Sequence, residues 1–272
     1  MERINIINKK KLLEKMLQPY KDNQPDYNDL RNKIAIETND SIKEAYKKQM
    51  HSPYSNFSKE KGYAFLKLLD VHFCPYCNIN DVYTIDCVND NGIEENVCRP
   101  DIDHFESQKD NPEKQVDLEN LVPSCLICNQ RLKRDKPFTN DEYLNPYKES
   151  FDDIMEFSLI LHGIDYKKEE NFDITITRKN GASEKQYKKA DNNIKVFKLK
   201  ERYQYYKNEI IPLMNNIDIY SRSKRDEIDR IFNEKFGIPF RTILFPEENC
   251  KINSTRLGKL KRDVIKKYAK NF

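Results

Sequence analysis

The sequence predicts an α+β protein, in which a small cysteine-bearing centre is flanked by a helical amino-terminal region and a mostly helical carboxy-terminal region with one β-hairpin. Three observations carry that expectation. Apolar residues recur at helical spacing in the first 71 residues and again from about residue 182. Two Cys-x-x-Cys pairs, Cys74/Cys77 and Cys125/Cys128, enclose short strand-like runs. Two alternating runs, Phe157, Leu159, Leu161 and Phe172, Ile174, Ile176, read as paired strands. The chain accordingly divides into residues 1–71 (helical), 72–140 (the cysteine-bearing centre) and 141–272 (an α/β region suited to binding substrate or a partner).

Taken in order, residues 9–18 place Leu12, Leu13, Met16 and Leu17 on one helical face, and Pro19 is expected to stop the pattern. Residues 27–50 read as one helix with Leu30, Ile34, Ile42, Ala45 and Tyr46 as core contacts, ended by the break at Ser52-Pro53. Residues 59–70, with Tyr63, Phe65, Leu66 and Leu69, read as a helix leading into the first cysteine pair. After Phe138 a loop precedes the hairpin, and helical patterning then continues to a last helix with Leu257, Leu260, Val264 and Tyr268 in one stripe.

At 272 residues the chain can bury a real core, and 14 Phe and 16 Tyr supply aromatic area for it despite 34% charged residues. No apolar run is long enough for a signal peptide or a membrane span, which makes a cytoplasmic location the default expectation. In a reducing compartment, cysteines in x-x spaced pairs favour metal thiolates over disulfides. Cys87, Cys98 and Cys250 remain as free thiols, the first two read as small residues packed on strands before Asp101. The formal net charge of +3 identifies no partner, but residues 251–272 hold eight Lys or Arg against Asp263 alone.

Four thiolates in two knuckles suit the softness and tetrahedral preference of Zn²⁺, and a closed four-thiolate shell of Cys74, Cys77, Cys125 and Cys128 leaves no position for chemistry. Such an ion holds structure; substitution of one ligand by Cys87 or Cys98 stays open. The two pairs are separated by 47 residues, far more than the roughly 15–20 of a simple ribbon. That gap holds Asp103-His104 and Asn120, and Asn129 follows Cys128 directly. Phosphodiester hydrolysis needs a base for water and a divalent cation for the developing charge. His104 can supply the base and Asp103 a cation ligand. Asn120, on the returning strand, can hold the intervening loop and orient the imidazole, and the Asn129 carbonyl oxygen can complete a cation site with Asp103. Asp101, on the same strand face as Asp103, reads as a structural acid or a spare ligand. Arg131, Lys133, Arg134 and Lys136 follow on a helix and read either as phosphate contacts or as a solvated basic face.

Asp-His, Asn-Leu-Val-Pro and Cys-x-x-Cys-Asn in that order resemble the HNH endonuclease family, in its zinc-stapled branch, over about residues 72–138. The resemblance implies a ββα-metal core, with His104 as general base, Asp103 and Asn129 as metal ligands and Asn120 as the central asparagine. Asn129 stands where the family's last histidine is usual. An oxygen-rich cation site follows, suited to Mg²⁺ or Mn²⁺ beside a structural Zn²⁺. The implied activity is metal-dependent endonucleolytic cleavage of DNA; RNA is not separated from DNA by anything in the flanks. HNH proteins with large flanks also resemble effectors of bacterial anti-phage defence, some paired with an ATPase. This chain has no G-x-x-x-x-G-K-[ST] segment, so nucleotide-driven control has to come from a partner. The competing class, a zinc-stabilised binding or adaptor module without activity, requires a damaged dyad, whereas Asp103, His104, Asn120 and Asn129 are all present.

Overall fold

Both prolines expected to end the amino-terminal helices are carried inside them. In the computed structural model, which describes residues 1–163, 165, 168–219, 222–248 and 251–269, helix α1 (Lys10–Asp22) runs through Pro19 and α3 (Asp40–Glu60) through Pro53. A proline deprives the carbonyl four residues back of its donor. At Pro53 that carbonyl belongs to Gln49, and the Ser52 hydroxyl donates to it at 2.8 Å, so the Ser-Pro pair mends the break it was expected to make. Beyond Pro19, Tyr20 packs edge-on against the fully buried Phe57 of α3, with ring centroids 5.6 Å apart. Burying a phenylalanine contributes roughly 1.5–3 kcal/mol, comparable to the cost of a helical proline.

The single helix expected over 27–50 is two. Helix α2 (Tyr27–Ile36) is capped by Asp26, and Asn39 opens α3 by accepting from the backbone N–H of Ser41 and Ile42. Such caps satisfy donors that a helix start leaves open. The break resets the helical phase, so the stripe read across it does not continue: Leu30 is buried, whereas Ile42 and Ala45 are exposed. Helix α4 (Gly62–Leu69) follows and leads to Cys74.

The chain then forms three two-stranded antiparallel sheets: β1 (Ile85–Val88) with β2 (Glu94–Cys98), β3 (Asp101–His104) with β4 (Leu121–Ser124), and β5 (Met155–Leu161) with β6 (Phe172–Arg178). A π-helical turn, Ile127–Lys133, follows β4, and a short helix α5 (Phe151–Ile154) precedes β5. After β6 come α6 (Glu184–Phe197), α7 (Leu199–Gln204), α8 (Ile211–Ile219), α9 (Arg222–Phe236), α10 (Phe240–Leu244) and α11 (Gly258–Tyr268). The fold is α+β, with the expected hairpin of the carboxy-terminal region in the register Phe157↔Ile176, Leu159↔Ile174, Leu161↔Phe172. Every residue of β1 and β2 is exposed. Cys87 and Cys98 are therefore exposed thiols and not packed ones; Cys250 lies outside the described residues. No helix among the described residues is long and apolar enough to cross a membrane.

Two compact units result, and they group the sequence differently from the three stretches read along it. One comprises Arg3–Pro75 and Asp81–Glu149, so α1–α4 pack in the same unit as the Asp-His strand. Leu13, Leu17, Phe57, Phe65, Phe105 and Phe138 are among its buried side chains. The other comprises Met1–Glu2, Tyr76–Asn80 and the chain from Ser150 onward. Its core lies between β5–β6 and α11: Leu257, Leu260, Val264 and Ile265 are buried, and the Tyr268 hydroxyl accepts from the Leu159 N–H at 3.0 Å and donates to its carbonyl at 3.1 Å. The basic tail is less free than its composition suggests. Lys259 is fully buried against Asp152 (2.8 Å) and Asp263 (2.5 Å), Arg262 pairs with Asp152 and Glu2, and Lys261 with Glu209.

Candidate active site and metal centre

The four paired cysteines converge. Cys74 follows α4, in a segment closed by the Phe73↔Asp81 bridge and the Val82 N–H donating to the His72 carbonyl at 2.9 Å. Asn78, just after Cys77, takes the left-handed conformation (φ 53°) that bends a knuckle back. Cys125 directly follows β4, and the Cys128 N–H points to its sulfur at 3.4 Å. All four thiols are buried, and their sulfurs lie within 4.8 Å of one another. Tetrahedral zinc with Zn–S bonds of about 2.3 Å places sulfurs about 3.8 Å apart, so this donor set fits a single such ion. The cluster is formed by Cys74, Cys77, Cys125 and Cys128, without Cys87 or Cys98.

The strand pair β3–β4 sets Asp101 opposite Ser124, Asp103 opposite Val122 and His104 opposite Leu121. Asp101 and Asp103, two residues apart, share a face of β3, and the π-helical turn lays its side chains along them. The Asn129 amide donates to Asp101 Oδ2 at 3.1 Å and that of Gln130 to the same oxygen at 2.9 Å. One turn on, Lys133 Nζ donates to Asp103 Oδ1 at 2.8 Å and to the His104 carbonyl, and lies 5.0 Å from the centre of the Phe138 ring. Lys133 and Asp103 are 3% and 5% exposed, so this ion pair is shielded from water. The turn is closed by the Arg134 N–H donating to the Asn129 carbonyl at 2.8 Å. Arg134 closes it at φ 51°, ψ −129°, a conformation that favours glycine. Asn129 thus donates to Asp101 while Asp103 accepts from Lys133, and Lys133, read with Arg131, Arg134 and Lys136 either as a phosphate contact or as part of a solvated basic face, is buried while those three are exposed.

His104 sits between two regions of this unit that lie far apart in the sequence. Its Nε2 is 2.9 Å from the Gln115 carbonyl. A carbonyl only accepts, so Nε2 carries the hydrogen and Nδ1 is left as the basic nitrogen. Tyr54 of α3 packs edge-on against the imidazole, with centroids 4.3 Å apart. Burial pushes the pKa of His104 down to about 4; the bond to Gln115 works against this, and the charge of Lys133 adds to it. The imidazole is thus neutral at physiological pH.

Asn120 is buried at the end of a 3-10 turn before β4 and holds the loop after His104 from inside: its Oδ1 accepts from the Glu106 N–H at 2.7 Å, and its Nδ2 donates to the carbonyls of Glu106 (3.1 Å) and Lys114 (3.0 Å). Gln115, also buried, ties the far end of that loop to the amino-terminal helices through Tyr27 Oη (2.7 Å) and the Met50 carbonyl (2.9 Å). The Gln108 amide donates to His51 Nδ1 of α3 at 3.0 Å. The sequence offered no periodic signal for Gln115, His51 or Tyr54, since each matters through a contact more than 45 residues away in the chain.

The donors on β3 and the π turn are oxygens: two carboxylates and the Asn129 carbonyl, its amide nitrogen being engaged by Asp101. That set suits a hard divalent cation, and the Lys133 ammonium shows that positive charge is stabilised beside Asp103. No family model, curated protein or solved structure matches the chain.

Proposed function

We propose that this chain is a metal-dependent endonuclease of the HNH type that hydrolyses phosphodiester bonds in DNA. The observation that carries the reading is His104, a neutral imidazole whose Nε2–H is fixed by the Gln115 carbonyl, leaving Nδ1 as the basic nitrogen. In this reading His104 Nδ1 takes the proton from the attacking water. Asn120 and Gln115 keep the imidazole and its loop in one geometry, which removes the entropy of arranging them at each turnover. Asp103, with Asn129 and Asp101 at hand, would hold Mg²⁺ or Mn²⁺, which supplies charge neutralisation at the phosphate. Exposed Arg131, Arg134 and Lys136 contact backbone phosphates without reading sequence. The four-cysteine cluster would hold zinc as a structural staple between the first knuckle and the π turn. The resemblance to defence effectors makes an ATPase the partner class for such a nuclease.

The test is cleavage of matched DNA and RNA substrates with Mg²⁺ or Mn²⁺. His104→Ala should lower the rate about 10²–10⁴-fold while zinc content and thermal melting stay as in the wild type. Cutting at the wild-type rate by the variant would remove His104 as the base, and cleavage of RNA alone would move the substrate class.

A further inference from the structure

Lys133 reads from sequence as a surface cation and is instead buried on Asp103, the carboxylate proposed to hold the catalytic ion. We infer that Lys133 is the resident counter-ion of this site, and that its ammonium competes with the divalent cation for Asp103 and so sets how much Mg²⁺ or Mn²⁺ the site requires. The inference rests on the nuclease reading above.

Three features argue for it. The ammonium has two oxygen acceptors, Asp103 Oδ1 at 2.8 Å and the His104 carbonyl, which is how a cation is held. Its charge is shielded from solvent, so salt and water weaken its effect on an arriving ion much less than they would at the surface. Its position follows from the π turn, whose closing residue Arg134 takes a glycine-like backbone conformation; local strain is tolerated in order to aim the side chains of this segment at β3. A surface phosphate contact would need none of this. Lys133 is also a positioning residue, because the same ammonium spans the carboxylate of Asp103 and the backbone of His104.

At effective dielectric constants suited to buried sites, a unit charge a few ångströms from a dication opposes its binding strongly. Neutral substitution should therefore tighten cation binding. The experiment is Mn²⁺ titration followed by electron paramagnetic resonance of the free aquo ion, on zinc-replete wild type, Lys133→Gln, Lys133→Met and Asp103→Asn, with no nucleic acid present. Lys133→Gln or Lys133→Met should bind Mn²⁺ about tenfold more tightly than wild type, and Asp103→Asn should lose the site. Equal or weaker binding by a folded neutral variant, with Asp103→Asn still losing it, overturns the inference and leaves the nuclease reading intact. Absence of Asp103-dependent Mn²⁺ binding in every protein overturns both. Should neither neutral variant fold, amine acetylation of the wild type decides: Lys133 should become reactive over the range in which Mn²⁺ binds, and continued protection across that range overturns the competition.

Discussion

The molecule buries a lysine against carboxylate at Lys259 and at Lys133, and the two places differ in how the charge is balanced. Around Lys259 the compensation is dense. Lys259 meets Asp152 and Asp263, Arg262 also meets Asp152, and Asp263 Oδ2 accepts from the Phe157 N–H at 2.8 Å. Each charge has more than one partner, and the partners lie on α5, β5 and α11, so the cluster stitches secondary structure together. Around Lys133 the ammonium faces the Asp103 carboxylate and a backbone carbonyl, beside a histidine whose Nδ1 is basic. A buried pair of that kind gives little net stability, since desolvation offsets most of the attraction. The difference teaches that burial of a lysine does not by itself define its role: what matters is which groups it holds, several secondary-structure elements at Lys259 and the Asp103–His104 segment at Lys133.

The predictions test that contrast, beginning with the change that should act on the whole cysteine-bearing segment. Each chain should carry about one equivalent of zinc, and Cys125→Ser, or chelation of the wild type, should unfold the region that presents Asp103, His104 and Lys133, because a closed thiolate site contributes folding energy directly. Circular dichroism and elemental analysis report both. A cooperative wild-type melt after complete removal of metal would mean that the strand pair and π turn hold without it.

Next in size is the structural lysine. Lys259→Met should destabilise the protein by about 3 kcal/mol, because the buried Asp263 loses its ion-pair partner while Asp152 keeps Arg262 and Lys179, and cleavage per folded molecule should stay at the wild-type level. Denaturant melts and rates corrected for folded fraction separate the two quantities. A loss of specific activity in folded Lys259→Met would erase the functional distinction between the lysines.

Acid should probe the same cluster more gently. Burial of Asp152 works to raise its pKa, but Lys259 and Arg262 outweigh it and hold the carboxyl well below the usual carboxylate range. A folded-state pKa below the unfolded one gives stability that is complete above the unfolded value, about 3.9, and is lost as pH falls toward the folded one. Asp152→Asn should therefore flatten the acid limb of the stability profile below about pH 4. An unchanged limb would assign it to other groups.

The smallest expected effect lies in the turn itself. Arg134→Gly places at φ 51° the residue that prefers such backbone, and should stabilise by about 0.5–1 kcal/mol. A fall in melting temperature would show that the guanidinium contributes more than its backbone costs.

Much of this is legible in the chain. Alternation predicts the β5–β6 hairpin, though not its register, and the x-x spacing of two cysteine pairs predicts their convergence. Helix boundaries are less so. Pro19 and Pro53 read as stops, yet aromatic packing and a serine hydroxyl respectively carry those helices onward. The apolar stripe of residues 27–50 crosses Asn39, whose cap starts a new helix. The order Asp-His, Asn, Asn locates the candidate site residues, but not their neighbours.

What the sequence determined alone are properties set within a few residues: helical and strand periodicity, capping, and the chemistry of the donors, thiolates in pairs and oxygens near one histidine. Tertiary structure decided how those donors combine. It gave Asn129 to Asp101 and Lys133 to Asp103, placed α3 against His104, and drew Lys259 and Arg262 of the basic tail into an ion cluster. The reason is physical. Local pattern fixes which groups a segment carries, whereas burial, charge compensation and tautomer depend on which distant segment arrives opposite, and no spacing along the chain encodes that.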